Sequence, residues 1–351
     1  METYIYEITN TTKDDAEIEK AGQIIRNGGL VAFPTETVYG LGGDALNAQS
    51  SQKIYTAKGR PSDNPLIVHI CRLDDIYDIV SEFPESAQKL AENYWPGPLT
   101  MVLPKSDKVP DETTGGLSTV AVRMPVDPIA LSFIKAAGGY VAAPSANTSG
   151  KPSPTKAKYV IEDMDDKIDM IIDGGDVEIG LESTIVDLSG TVPMLLRPGF
   201  ITLDMLRECL GEVRMDPTLF SGDYKEPPKA PGMKYRHYAP KGILTIVSGM
   251  EVAVVERINE LVEAAVLEGK KVGVIATDET LPKYDCSCVK SVGTRKDEVS
   301  IAHNLYRILR EFDDEDIELI YSEAFDTPNM GQAIMNRLLK AAGHHVMYVE
   351  K

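Results

Sequence analysis

The sequence has few cysteines, no long apolar run and no leader-like N-terminus. Its four cysteines, Cys71, Cys209, Cys286 and Cys288, are too few and too scattered to indicate a disulfide framework. The one C-x-C pair has no second pair near it to complete the four ligands of a zinc site. No apolar run approaches the length of a membrane span, and the N-terminal segment lacks the basic start and apolar core of a signal peptide. We therefore expect a cytoplasmic protein that does not enter a membrane.

Positive charge is also scarce. Lys and Arg number 36 against 54 Asp and Glu, which gives a formal net charge of −18 over 351 residues. A surface this acidic repels phosphate backbones, so stable binding to bulk RNA or DNA is not expected. A short region that collects several cations in such a chain is therefore informative, because it indicates a pocket for a small anionic ligand. The length and the ordinary globular composition fit two domains.

Several catalytic signatures are missing as well. There is no G-x-S-x-G nucleophile elbow, and the first two hundred residues contain one histidine, His69, within an apparent strand. Both observations argue against a Ser/His/Asp hydrolase. Gly150-Lys151 is followed by Pro152 and lacks the upstream glycine, so it is not a Walker A loop. We expect the chemistry to depend on positioning and electrostatics rather than on a covalent nucleophile.

The first two hundred residues alternate short apolar strands with helices. The predicted helices are Asp14–Asn27, Ser50–Ala57, Ser86–Tyr94 and Leu203–Leu210. The predicted strands are Leu30–Phe33, Leu66–Ile70, Leu99–Leu103, Val120–Met124, Tyr140–Ala143, Met170–Ile172, Ser183–Leu188 and Met194–Leu196. Strands this numerous with helices between them predict an α/β or α+β domain with a twisted mixed sheet over residues 1–210.

The remaining residues form two parts. Residues 211–241 hold Pro and Gly throughout, have no periodicity, and carry aromatic and basic side chains that are unusual for an inert spacer. We interpret them as a linker that makes contacts of its own. Residues 242–351 alternate strand and helix, which predicts a smaller Rossmann-like parallel α/β domain. No G-x-G-x-x-G follows its first strand, so nucleotide binding is not predicted there.

Cations and hydroxyl groups lie near the predicted strand ends of the first domain. Lys58 and Arg60 stand on one loop, and Arg123 and Arg197 come at the ends of strands. Residues 143–151, rich in hydroxyl and amide groups, directly follow another strand. Each segment alone is more often an ordinary turn or a solvated basic loop. Together, in an acidic chain, they favour an anion pocket at the strand ends, where α/β sheets bind ligands.

These segments resemble the motifs of a known family. The matching stretches are FPTETVYGLG (33–42), KGRPSDNPLIVHI (58–70), YWPGPLT (94–100), VAVRMP (120–125), APSANTSGKPSPT (143–155), GLESTIVD (180–187), LRPGFI (196–201) and APGMKYRHYAP (230–240). The sequence is similar to the YrdC-like family in its long two-domain form, over essentially the whole chain. One departure is Asp127, which stands where many members carry His.

The resemblance implies an ATP-dependent nucleotidyltransferase with Lys58 and Arg60 as catalytic residues. Such an enzyme condenses L-threonine, bicarbonate or CO₂, and ATP into L-threonylcarbamoyl-AMP, releases pyrophosphate, and supplies a separate transferase that modifies adenosine in tRNA. The resemblance places L-threonine near Thr35, Tyr39, Lys58, Arg60, His69, Arg123 and Ser183. It places ATP near Lys58, Arg60, Arg123, Ser145, Asn147, Ser183, Arg197 and Tyr235. Mg²⁺ would be held mainly by the ATP phosphates, with no protein side chain assigned as a metal ligand.

The linker, residues 211–241, is expected to act as a lid, because its aromatic and basic side chains could cover an adenylate and shield a labile carbamate from water. The alternative is that the aromatic residues only hold the linker between the two domains. Two other functions stay open. One is an RNA-binding module without catalysis, against which the net charge argues. The other is a carbamoyl-adenylate former that acts on a different small substrate. Threonine-dependent release of pyrophosphate would separate these functions.

Overall fold

The computed structural model describes residues 2–221, 228–231, 237–325 and 328–350. The chain divides into two compact units. The first has the limits Met1–Ser149, Ser153–Glu178 and Glu182–Lys234, and the second has the limits Gly150–Pro152, Ile179–Leu181 and Tyr235–Lys351. The domain limits given from the sequence, 1–210, 211–241 and 242–351, stay a prediction.

A mixed sheet forms the centre of the first unit. Its strands are β1 (Tyr4–Glu7), β2 (Val31–Phe33), β3 (Gly40–Asp44), β4 (Ile67–His69), β5 (Leu99–Pro104), β6 (Thr119–Arg123), β7 (Val141–Ala143), β8 (Met170–Asp173), β9 (Thr184–Asp187), β10 (Met194–Arg197) and β11 (Arg214–Met215). Within the described ranges the sheet has eleven strands in the order β1-β8-β2-β3-β7-β4-β6-β5-β9-β10-β11. Parallel pairs such as β4 with β6 occur beside antiparallel pairs such as β5 with β6, so the sheet is mixed.

Helices cover this sheet, and several have clear capping residues. They are α1 (Asp15–Arg26), α2 (Ala48–Lys58), α3 (Ile76–Ile79), α4 (Glu85–Tyr94), α5 (Asp111–Thr114), α6 (Pro128–Ala136), α7 (Ala157–Met164), α8 (Leu203–Leu210) and α9 (Thr218–Ser221). Helix α2 ends at Lys58 because Gly59 adopts the left-handed conformation, with φ of 63°. Helix α6 begins after Asp127, whose carboxylate accepts the Ala130 N–H at 2.8 Å. The residue that departs from the family pattern is therefore a helix cap.

The two faces of the sheet belong to different apolar layers. Successive side chains of a strand point to opposite faces, and β2 shows the consequence. Val31 and Phe33 pack in one layer with helices α1 and α6, whereas Ala32 packs in the other. Both layers consist of buried, mainly aliphatic and aromatic side chains, so the strand ends and the loops that follow them are held on a rigid base.

A parallel sheet forms the centre of the second unit. Its strands are β12 (Ile243–Ser248), β13 (Val272–Ala276), β14 (Val289–Ser291), β15 (Leu319–Glu323) and β16 (Val346–Tyr348). They lie in the order β14-β13-β15-β12-β16, and every described pair is parallel. The helices are α10 (Glu251–Leu267), α11 (Glu298–Asp314) and α12 (Gly331–Ala341). Parallel strands connected through helices give the Rossmann-like arrangement.

The predicted fold class is confirmed for both units. The first unit has the mixed sheet and the second has the parallel sheet that the alternation of patterns predicts. All eight predicted strands of the first unit agree with the structure within one residue at each end, but the strands β1, β3 and β11 and the helices α3, α5, α6, α7 and α9 were not predicted. No helix in the described ranges is both long enough and apolar enough to cross a membrane.

Candidate functional site

Five polar side chains form a row across neighbouring strand ends of the first unit. His69 on β4 is paired in register with Arg123 on β6, and Arg123 is paired with Thr100 on β5, so the three share one face of the sheet. The Thr100 hydroxyl lies 2.8 Å from that of Ser183, which in turn accepts a hydrogen bond from Arg197 at 3.1 Å. We call these five residues the polar row. All five are buried, and two of them are guanidinium groups, so the row is suited to an anion.

The same face of the sheet continues as an apolar patch, made of Ile67, Val102, Ala121, Ile185 and Leu196. Alternation along the strands explains this, because Ile67 stands two residues before His69, and Ala121 stands two residues before Arg123. Ala230 of the linker packs on this patch and is fully buried. Arg197 donates a hydrogen bond to the Pro231 carbonyl at 3.3 Å. Residues 228–231 of the linker therefore lie beside one end of the polar row.

Lys58 meets the loop that follows β7, as the sequence predicts. Its side chain is 2% exposed, and its ammonium group donates to the carbonyls of Ser145 and Asn147. The Ser145 hydroxyl donates to Asn147 Oδ1 at 2.6 Å, and the Lys58 Nζ lies 3.4 Å from the same oxygen. The structure thus brings together three residues that the sequence analysis assigns to ATP. It also shows that the lysine holds the loop in shape.

The loop between β2 and β3 connects this cluster to the polar row. The Thr35 hydroxyl lies 2.8 Å from that of Thr37 and donates to the Val38 carbonyl at 2.7 Å. The Thr37 hydroxyl accepts a hydrogen bond from Arg123 at 2.8 Å. The Ala146 N–H donates to the Tyr39 carbonyl at 2.8 Å, which fixes this loop against the one that Lys58 holds. Thr35 is therefore linked to Arg123 through the hydroxyl group of Thr37.

The side chains of Arg60 and Tyr39 both donate hydrogen bonds to backbone carbonyls. The Arg60 guanidinium donates to the Asn64 carbonyl at 3.3 Å and to the Pro65 carbonyl at 3.1 Å, which braces its own loop. The Tyr39 hydroxyl donates to the Gly175 carbonyl at 2.7 Å, and burial raises the pKa of this phenol. The ring of Tyr39 packs in the core. Sequence reasoning did not predict these structural bonds, because a motif does not show where a side chain points.

His69 is held in its neutral form. Burial is the main cause that lowers its pKa to about 3, and the positive charge of Arg123 lowers the pKa further. The ring Nδ1 lies 3.0 Å from the Ile67 carbonyl. A carbonyl oxygen only accepts, so Nδ1 carries the proton. A neutral imidazole brings no charge to a carboxylate, so His69 in this form can offer a ligand a hydrogen bond but not an ion pair.

Glu36 and Thr100 belong to this region and were not selected from the sequence. Glu36 Oε1 lies 2.7 Å from Arg123 Nη2, and the Glu36 side chain is 3% exposed. The signal for Glu36 was present, since it stands in the motif at 33–42, beside Thr35. Thr100 carries a hydroxyl group within the otherwise apolar strand β5. A buried hydroxyl in such a strand needs a hydrogen-bond partner, and this is the signal that could have identified the residue.

Two features of the predicted site concern its metal and its linker tyrosine. Over the described ranges, no group of three or more His, Cys, Asp or Glu side chains is arranged to hold a metal ion. Tyr235, predicted to bind ATP, lies outside the described residues.

Two family models match the chain. The Sua5/YciO/YrdC model, described as "Telomere recombination", matches residues 23–199. A model described as "Threonylcarbamoyl-AMP synthase, C-terminal domain" matches residues 201–343. The chain belongs to the Sua5/YciO/YrdC family. A threonylcarbamoyl-AMP synthase of Pyrococcus abyssi is 48% identical, covering 96% of this chain and 97% of that protein. Another, of Bacillus subtilis, is 46% identical and covers 95% of each chain.

A solved structure agrees with this family membership. The crystal structure of P. abyssi Sua5 complexed with L-threonine matches with a TM-score of 0.94 at 46% identity, covering 99% of this chain and 100% of that one. The long Sua5 form, with both parts, is therefore the form that this chain shares. The family membership and the relatives' names support an enzyme.

Proposed function

We propose that the chain synthesises L-threonylcarbamoyl-AMP from L-threonine, bicarbonate or CO₂, and ATP, with release of pyrophosphate. The observation that carries the proposal is the polar row, which places two guanidinium groups, two hydroxyls and a neutral imidazole side by side on one buried face. The names of relatives that are 46–48% identical over nearly the whole chain support the same reaction. The P. abyssi Sua5 structure is a complex with L-threonine, which is one of the three proposed substrates.

The amino acid fits the end of the row near His69. Its carboxylate needs a cation, and we propose Arg123, which donates to Thr37 of the β2–β3 loop, together with Lys58, which donates to the Ser145 carbonyl. Its hydroxyl can form a hydrogen bond with the neutral imidazole of His69. Thr35, Arg60 and Ser183 complete the set of residues proposed to bind L-threonine. Tyr39 stabilises the β2–β3 loop through the hydrogen bond from its hydroxyl to the Gly175 carbonyl.

ATP fits along the cations and the loop after β7. In the proposed reaction the amine adds to CO₂, a carbamate oxygen attacks the α-phosphorus, and pyrophosphate leaves. Negative charge develops on the phosphoryl oxygens, where Arg123, Arg197 and Lys58 would stabilise it, with Ser145 and Asn147 as hydrogen-bonding groups. ATP enters as its magnesium complex, with the ion held by phosphate oxygens. Tyr235 stays part of the proposed ATP site.

Exclusion of water is the remaining requirement. A carbamate decomposes in water, so the reaction needs a covered face. The linker supplies cover at one end, where Ala230 lies on the apolar patch and Pro231 accepts a hydrogen bond from Arg197. Residues 222–227 and 232–236 of the proposed lid lie outside the described part of the chain. The product would pass to a separate tRNA-modifying transferase, and a cytoplasmic site of action belongs to the proposal.

The test is an assay of pyrophosphate release with each substrate omitted in turn. We expect release only when ATP, magnesium, L-threonine and bicarbonate are all present. Release without threonine would indicate a different acceptor, such as the substrate of a related carbamoyl-adenylate former. Absence of release together with tight RNA binding would favour a binding module. The net charge of −18 makes that last outcome unexpected.

A further inference from the structure

The Glu36 carboxylate lies beside the polar row and accepts no hydrogen bond from the described part of the chain. It is 3% exposed, and Oε1 and Oε2 are both buried without a hydrogen-bond donor there. Its 2.7 Å contact with Arg123 Nη2 is an ion pair by distance, but the same two atoms do not have hydrogen-bond geometry. Buried carboxylate oxygens without a donor are costly, so each one needs an explanation.

The surroundings of Glu36 otherwise suit anions. Arg123 belongs to the polar row, and its other terminal nitrogen donates to Thr37, the residue next to Glu36. An α-amino acid brings one carboxylate and one ammonium group, separated by a single carbon. The cations of the polar row can bind the carboxylate. The ammonium group needs a buried acceptor whose oxygens do not already accept hydrogen bonds. Glu36 is an acceptor of that kind, next to Arg123.

We propose that Glu36 binds the α-ammonium group of the amino-acid substrate, beside the cations that hold its carboxylate. The inference rests on the proposed function, since it assigns the recognition of that substrate. The ammonium group has three donors and a full positive charge, which matches two carboxylate oxygens that accept no hydrogen bond from the described residues. Binding would complete the hydrogen bonds that Glu36 does not make within the described chain.

Magnesium fits this position less well. Mg²⁺ requires near-octahedral oxygen coordination, usually with one or two carboxylates, waters and substrate phosphates. Over the described residues no group of three or more His, Cys, Asp or Glu side chains is placed to hold a metal. The guanidinium 2.7 Å from Glu36 would also repel a divalent ion. An ammonium group carries half the charge of Mg²⁺, so Arg123 would repel it less.

The main alternative is that Glu36 only orients Arg123. Removing the Glu36 charge would then weaken any ligand that Arg123 holds through its carboxylate, with or without an amine. The two roles are separated by a pair of ligands. L-Threonine carries the ammonium group, and the matched 3-hydroxybutyrate keeps the carboxylate, hydroxyl and methyl groups and lacks the amine.

The experiment compares the Kd of both ligands for the full-length wild type and for Glu36→Gln by ligand-observed NMR, which measures weak binding. We expect the wild type to bind threonine about 10- to 100-fold more tightly than 3-hydroxybutyrate, as one charged hydrogen-bonded contact allows. Glu36→Gln should lose that preference and bind 3-hydroxybutyrate as the wild type does. Glu85→Gln, an exposed glutamate of α4, is the matched control and should retain the preference.

Three results would overturn the inference. Equal weakening of both ligands in Glu36→Gln would assign Glu36 to the positioning of Arg123. Unchanged threonine binding with a higher magnesium requirement for pyrophosphate release would assign it to the metal. Equal affinity of the wild type for both ligands would exclude ammonium recognition whether or not the variant folds. Threonine-dependent pyrophosphate release by the wild type tests the proposed function separately, because it does not depend on Glu36.

Discussion

At the scale of single residues, Lys58 combines a structural contact with a proposed catalytic one. We expect Lys58→Ala to lower pyrophosphate release about 10²–10³-fold, the typical loss of one donor to a developing oxyanion. It should also lower the free energy of unfolding by about 1–3 kcal/mol, because two buried carbonyls, of Ser145 and Asn147, lose their donor. Steady-state rates and urea denaturation measure the two effects.

The matched control for this prediction is on the same helix. Lys53 of α2 donates to the Gly28 carbonyl at 2.6 Å, away from the polar row. Lys53→Ala should keep a rate near that of the wild type. If Lys58→Ala loses stability but turns over normally, Lys58 serves the loop alone and the proposed catalytic role is wrong.

His69 gives a prediction for the dependence of stability on pH. Its pKa is about 3 in the folded chain, against 6.5 for an ordinary histidine. The unfolded chain therefore binds a proton that the folded chain excludes. Stability is complete above about pH 6.5 and is lost as the pH falls toward about 3, at up to about 1.4 kcal/mol per pH unit. His69→Asn keeps a donor near the Nδ1 position and does not titrate.

The measurement is urea denaturation of wild type and His69→Asn between pH 7 and pH 5. Between these values the wild type should lose more stability than the variant does. Parallel curves for the two proteins would show that His69 is not held neutral by the fold. Carboxylates also take up protons as the pH falls, and they do so equally in the two proteins. The difference in stability between wild type and variant is therefore the informative quantity.

At the scale of elements, the contact of linker residues 228–231 with the sheet is open to test. Ala230 is fully buried on the apolar patch. We expect Ala230→Asp to speed tryptic cleavage after Lys234 and to lower pyrophosphate release, because a carboxylate cannot be buried there without a partner. ATP with threonine should slow cleavage of the wild type if the linker closes over ligands.

Lys229→Ala is the control for the linker. Lys229 is about half exposed and pairs at 3.2 Å with the buried Asp187, whose carboxylate also accepts hydrogen bonds from Ser189, so removing the lysine does not leave that carboxylate without a donor. The variant should be cleaved and should turn over much as the wild type does. A fast rate in Ala230→Asp, with cleavage unchanged, would mean that these residues are not part of a lid.

Strong periodicity and turn residues made much of the fold predictable. Helix α8 agrees with its predicted limits, and α1 agrees within a residue at each end. Strand β3 was missed because its sequence is GLGGD, and glycine disfavours strands. It forms by pairing with β2 and β7, and it uses glycine because a Cβ at Gly40 or Gly42 would lie only 3.1–3.2 Å from the ring of Phe33. That reason is tertiary and cannot be read from local sequence.

The residue types of the candidate site could be read from the sequence, whereas the orientation of the side chains could not. Lys58, Ser145 and Asn147, which the resemblance assigns to ATP, lie together in the structure, and their binding of ATP stays a prediction. The bonds of Arg60 to its own loop depend on how the chain turns at residues 61–65, which no spacing reveals. Asp127 followed by Pro128 did contain a readable signal, a capping residue before a proline at the first helical position.

At the scale of the whole molecule, chains shortened at different points of the linker test what the linker contributes to stability and activity. A chain ending at Leu210 lacks Ala230 and leaves Ile67, Ala121 and Leu196 of the apolar patch exposed. We expect it to fold, to lose most activity, and to unfold at lower urea than a chain ending at Pro231, because the longer chain covers the patch. Full activity of the shorter chain would show that neither the linker nor the second unit is needed for the reaction.

The proposed reaction is tested most sharply by the fate of isotopic labels in one incubation. ATP labelled at the α-phosphorus, ¹⁴C-bicarbonate and tritiated L-threonine are incubated with the full-length protein and magnesium. We predict one product that carries all three labels in equal amounts, together with unlabelled pyrophosphate, because the carbamate attacks the α-phosphorus. Transfer of the α-phosphorus label into ADP, or a labelled adenylate that contains no carbon from bicarbonate, would contradict the proposed reaction.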